Sequence, residues 1–226
     1  MAHDASIRAA NTERLRRAGF AVADDLPLDD EAPQLRPVVE IAKRLLAIEA
    51  VYAWCSVPQE ELANDELKIF VAANHLETWM SPGELKLWTT KRSVALEKNA
   101  ATIGWRLENM WPLAWVLGFE PAPGFDGAMI DQATGHAMVV EFAGAMQLSL
   151  ADLIARAQPR RVEQVIELED LFYCAHHAVS QAQSGAATVP AGFDAVLSGG
   201  VIVERRHALT WCLSPGIDWD DTNLDA

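Results

Sequence analysis

The residues best suited to chemistry lie near the end of the chain, in Glu204-Arg205-Arg206-His207 with Trp211, followed by Trp219-Asp220-Asp221. A carboxylate and an imidazole three residues apart share one helix face. That arrangement presents two ligands to a metal, or an acid–base pair to a substrate. Di-metal carboxylate bundles need two Glu-x-x-His pairs and two further glutamates. Only one such pair stands on a clearly helical segment, so no metal set, no catalytic set and no cofactor are expected. Asp221-x-Asn223-x-Asp225 imitates the opening of a calcium loop, but its sixth position is Ala226 rather than glycine, which argues against one.

Two further stripes carry the same kinds of side chain. Trp105, Glu108, Trp111 and Trp115 follow one another by steps of three and four, on one helix face. A carboxylate among indoles is poorly solvated and needs a donor or cation, or it keeps its proton. Pro112 removes the N–H that the Glu108 carbonyl would otherwise receive. The second stripe is Asp170, Tyr173 and His177; the adjacent His176 points about 100° away, so the two histidines do not easily share a metal. One histidine is expected in the core and one bonded to Asp170 or a carbonyl. Buried charges need partners. Glu108, His176 or His177, Glu204, Arg205 or Arg206, and His207 are therefore expected to converge, with Asp220 and Asp221 left to an arginine or to solvent. Cys174, three residues before His177, is a conceivable nucleophile, but thiols in apolar helices are usually inert.

These residues sit on helices throughout. Ser6–Arg17 reads as a first helix stopped by Gly19, and an acidic loop near 24–33 follows. Pro37 opens a long helix to about Cys55, and Pro58 opens the next. Ser81-Pro82-Gly83-Glu84 is a helix start with a capping box. One helix is expected from about Ser93 toward Leu117, short helical pieces over 125–148, and a short helix capped by Ser149. Arg161–Gln183 and Asp194–Leu213 complete the set, the last with Gly199-Gly200 as a point of interruption, before an acidic tail over 214–226. The expectation is a single-domain, all-α, irregular multi-helix bundle of about seven to nine helices spanning 1–226.

The chain has 226 residues and a net charge of −14. Such a charge repels phosphate backbones, excluding nucleic acid as a partner, and suits a basic protein instead. The odd count of three cysteines, Cys55, Cys174 and Cys212, points to buried reduced thiols. No apolar run is long enough to span a membrane, and the first residues lack a signal-peptide core, so a cytoplasmic protein is expected.

Trp105-Arg106-Leu107-Glu108 with Trp115-Val116-Leu117-Gly118, Asp170 to His176, and Glu204-Arg205-Arg206-His207-Ala208-Leu209-Thr210-Trp211 with Trp219-Asp220-Asp221 resemble a bacterial family of domains of unknown function, number 4272. The resemblance spans Arg8 to Asp221 and departs at Pro112, where an ordinary helix former is expected. It implies a small cytosolic helical protein and assigns no catalytic residue. Three functions fit: a non-enzymatic module that binds a basic protein such as a toxin, a metal- or water-dependent hydrolase built on the Glu, His and Asp cluster, or a network that only fixes the fold. The first is preferred.

Overall fold

The computed structural model describes residues 5–28 and 33–225; residues 29–32 of the acidic loop, and Ala226, lie outside the described residues. Among the described residues there is no strand, and ten α-helices, one more than the upper expectation. They are α1 (Ala5–Arg17), α2 (Val38–Ser56), α3 (Asn64–Ala73), α4 (Pro82–Thr89), α5 (Arg92–Asn99), α6 (Trp105–Val116), α7 (Gln132–His136), α8 (Leu150–Arg156), α9 (Val162–Gln183) and α10 (Leu197–Cys212). Short 3₁₀ turns at Glu77–Trp79 and Trp219–Asp221 and a π-helix at Ala137–Ala143 complete the set. The chain forms two compact units. The first takes the residues through Arg36, Pro123–Met129 and those from Arg160 onward, and so holds α1, α9 and α10. The second takes Pro37–Ala122 and Ile130–Pro159, and so holds α2 to α8.

The second unit is built around α2. Thirteen of its nineteen residues are buried, because it is apolar on nearly every side and receives α3, α4, α5, α6 and α8. Two ionisable side chains, Arg44 and Glu49, are buried inside that apolar run. Arg44 forks onto both oxygens of Glu84, at 2.5 and 2.9 Å, and donates to the Trp79 carbonyl. Glu84 also closes the expected capping box with Ser81 and lies 3.3 Å from Arg106. Burial would raise the Glu84 carboxyl, but the Arg44 fork, with Arg106 and the Ser81 N–H, outweighs it and holds the group below its usual range. Arg92, also buried, donates to the carbonyls of Leu62 and Val57 and to Asn64 Oδ1.

In the first unit α9 packs between α1 and α10. Asp170, almost wholly buried, accepts from Arg8 Nε at 2.8 Å and Asn11 Nδ2 at 2.9 Å, tying α1 to α9. The helix α10 runs through Gly199 and Gly200 without interruption. The reason is contact: a Cβ on Gly199 would stand 2.6 Å from Val179 Cγ1 of α9.

Three boundaries differ from the sequence reading. The helix expected from Ser93 toward Leu117 is two, α5 and α6. Asn99 turns its amide back to the Ala95 carbonyl, and its own carbonyl receives Thr102 and Ile103 N–H, which ends α5. Pro58 opens only a turn; the Leu62 carbonyl goes to Arg92, and α3 begins afresh at Asn64. The last helix begins at Leu197 rather than Asp194, because the Asp194 carboxylate accepts the N–H groups of Val196 and Leu197 as a cap. The helix over Trp105–Val116 runs through Pro112.

Alanine in a helix interior ordinarily gains about 1 kcal/mol over glycine. At Gly199 the overlap with Val179 should reverse the sign. Gly199→Ala is expected to lower the unfolding free energy by about 1–3 kcal/mol in urea titration, and Val179→Ala in the same chain to recover much of it. A G199A protein more stable than the parent would contradict the close α9–α10 packing.

Candidate functional site

Successive residues of a helix leave its axis about 100° apart, so Arg205, Arg206 and His207 reach three different segments. Arg205, 1% exposed, donates from Nη1 to the Gly124 carbonyl at 2.6 Å and from Nη2 to the Ala128 carbonyl at 2.8 Å, pinning the 123–129 loop. His207 donates from Nε2 to the Trp219 carbonyl at 2.8 Å, and its ring lies 4.3 Å from that indole. Trp219 also meets Trp211 edge-on at 5.4 Å, so the indole docks against α10. Arg36, over the Trp211 ring at 4.0 Å, gathers the carbonyls of Trp211, Ser214 and Ile217 at the end of α10. The Trp211 and Ser214 carbonyls also accept the Ser214 and Ile217 N–H groups, and the guanidinium adds a further donor to each.

Arg206 is the centre of the remaining cluster. Its Nε lies 3.4 Å from Glu169, and the Thr210 hydroxyl donates to the same carboxylate at 3.0 Å. Its Nη1 meets His176 Nδ1 at 2.7 Å and the Leu224 carbonyl at 2.9 Å, and its Nη2 reaches the Asp225 carbonyl at 3.3 Å. A guanidinium only donates, so His176 Nδ1 must accept and the ring must be neutral. Burial, with the neighbouring Arg206 charge and His177, accordingly pushes His176 down to about 4. Two guanidiniums approach the Tyr173 ring, with Arg206 4.7 Å and Arg8 5.0 Å from its centroid. A cavity of about 360 Å³ opens here, lined by Arg8, Arg206, Tyr173, Glu169 and Thr210 together with Pro27, Pro33, Leu213, Ser214, Asn223 and Asp225.

The sequence-derived candidates fall in both units. His176 and Arg206 meet. His177 keeps a buried Nδ1 without a hydrogen-bond partner, and Asp170 is bonded by Arg8 and Asn11 rather than by either histidine. Glu204 is half-buried, and Asp220 and Asp221 are exposed. Glu108, fully buried, belongs to the second unit and accepts the Ile130 N–H at 2.8 Å. Of its stripe, Trp111 and Trp115 are buried, Trp105 is half-buried, and the Trp111 indole donates to the Pro121 carbonyl. All three cysteines are buried free thiols. Burial pushes Cys55 up to about 11; burial and Asp170 push Cys174 up to about 12, and burial raises Cys212 further. Thiols that hold their protons are not nucleophiles at neutral pH. Among the described residues no three His, Cys, Asp or Glu side chains are grouped to hold a metal ion.

Sequence reasoning missed Arg8, Glu169, Arg36, Arg44, Arg92 and Glu49. The last is poorly accommodated. Glu49 is 1% exposed, and neither oxygen has a hydrogen-bond partner. Burial raises its carboxyl well above the ordinary 4.5; the N–H groups of Met146 and Ala145 face it and offset this only in part. Those two N–H groups lie in a run of three consecutive left-handed residues, Gly144, Ala145 and Met146, with φ of +92°, +47° and +65°.

The fold of the described residues is all-helical, and the buried arginines among them donate to carboxylates and to loop and helix-end carbonyls of the chain itself. The profile of the family described as Domain of unknown function (DUF4272) matches residues 8–222, and the chain belongs to that family. No curated protein and no solved structure matches it. No helix among the described residues is long and apolar enough to cross a membrane.

Glu49 makes stability depend on pH. The folded chain keeps a proton that the unfolded chain releases above about 4.5. The folded state therefore loses ground as pH rises from 4.5 toward the raised folded value. Glu49→Gln, which has no proton to lose, should match the parent near pH 4 and exceed it increasingly toward pH 8 in urea unfolding. A difference that stays constant from pH 4 to 8 would contradict this environment for Glu49.

Proposed function

We propose that the chain is a non-enzymatic protein-binding module whose partner is basic, with neutralisation of a basic toxin as one role of that kind. The carrying observation is where the charge lies. The buried set among the described residues contains five arginines (Arg36, Arg44, Arg92, Arg205, Arg206) and five carboxylates (Glu49, Glu84, Glu108, Glu169, Asp170). The residues outside that set number 27 acidic and 13 basic, so an excess of fourteen negative charges lies outside it, and Glu49 within it holds its proton. A field of that sign steers cationic surfaces inward and slows anionic ones. The residues with chemical potential are meanwhile committed elsewhere. Arg205, Arg206 and His207 hold carbonyls, the thiols are protonated, and His176 is fixed neutral. These commitments favour binding over the hydrolase reading.

The experiment is titration of the purified chain against basic proteins encoded beside its gene, by calorimetry at several salt concentrations. A one-to-one complex is expected, with association slowing and affinity falling as salt rises past about 0.15 M. A partner that is acidic, or a complex indifferent to salt, would contradict the proposal.

A further inference from the structure

We propose that the cavity between Arg8, Tyr173 and Arg206 is a binding site for a small ligand bearing a single carboxylate, and that the chain's own tail partly occupies it. The volume, about 360 Å³, is that of a small-molecule site. Two observations give the ligand class. The first is a count of donors. A guanidinium carries five N–H groups. Arg8 uses Nε on Asp170, both Nη1 hydrogens on the carbonyls of Leu26 and Pro27, and one of Nη2 on Pro27. Arg206 uses Nε on Glu169, both Nη1 hydrogens on His176 and Leu224, and one of Nη2 on Asp225. Each fork keeps one N–H. Both stand within about 5 Å of the same ring centroid, so the two guanidiniums are at most about 10 Å apart. Their internal carboxylates, Asp170 and Glu169, fix them in place before any ligand arrives.

The second observation is what already sits there. The tail offers Arg206 two carbonyl oxygens, from Leu224 and Asp225, held in shape by Asn223 Oδ1, which accepts the Asp225 N–H at 2.9 Å. The site thus already binds sp² oxygens of the chain's own backbone. A carboxylate is the same acceptor with a charge, and its hydrogen bonds to a guanidinium are about twice as strong. Glu169 and Asp225 also line the cavity, so a doubly charged phosphate meets more repulsion than a carboxylate does. Pro27, Pro33 and Leu213 supply an apolar wall for the ligand's body.

The test is an NMR titration of the full isotope-labelled chain with benzoate, a planar carboxylate on an apolar ring, against benzamide, its neutral counterpart. Benzoate is expected to bind saturably, shifting signals of Tyr173, Thr210 and Asn223, with benzamide at least about tenfold weaker. Arg8→Lys, which keeps the charge but loses the fork, should weaken benzoate about tenfold. Asn223→Ala touches no buried group; it loosens the tail and should tighten benzoate about threefold by raising the open fraction. Circular dichroism confirms that both variants remain helical. Equal affinity for benzamide, shifts confined to other parts of the chain, or no saturable binding in both parent and N223A would overturn the proposal.

Discussion

The constraint that organises this protein is that backbone carbonyls at helix ends and loops need donors, and buried guanidiniums supply them. A helix leaves its last four carbonyls without partners. Arg36 serves the end of α10, Arg92 serves the Val57 and Leu62 carbonyls after α2, Arg205 serves the 123–129 loop, and Arg206 serves the tail. Burying a cation is costly unless each N–H is satisfied. The fork suits the task, because five donors in a fixed plane reach two or three carbonyls at once. Arg44 and Arg8 solve the same problem differently, spending part of their donors on carboxylates, so that α2 is tied to α4 and α1 to α9.

This explains which parts of the structure were legible in the sequence. Local rules were read correctly where the partner is local. Ser81 with Glu84, and Ser149 with Asp152, are caps whose two halves lie three residues apart. Apolar periodicity placed α1, α2 and α9 nearly to the residue. The errors occurred where a distant side chain overrides a local signal. Pro58 announced a helix, but Arg92, thirty residues on, takes the Leu62 carbonyl and the chain turns. The glycine pair in α10 announced a break, but Val179 fills the space that Gly199 leaves.

The candidate site was legible in the same partial way. Arg205, Arg206 and His207 stood out as charges in an apolar pattern, yet their partners are carbonyls of the 123–129 loop and the tail, and any residue type carries a carbonyl. No sequence pattern marks such an acceptor. Arg44 and Glu49 carry the same signal inside the apolar run of α2, with no motif spacing to mark them. Their fates also differ: Arg44 meets Glu84, whereas Glu49 meets only a left-handed turn.

The central claim is that the fork, rather than the charge, holds these segments. It is tested by replacing Arg36, Arg92 and Arg205 one at a time by lysine, with Arg17→Lys as the exposed control, and measuring unfolding free energies in urea. Lysine keeps the charge but cannot serve several carbonyls from one plane. Each buried replacement is predicted to cost on the order of 2–4 kcal/mol, against less than about 0.5 kcal/mol for the control. Buried replacements as mild as the control would contradict the account.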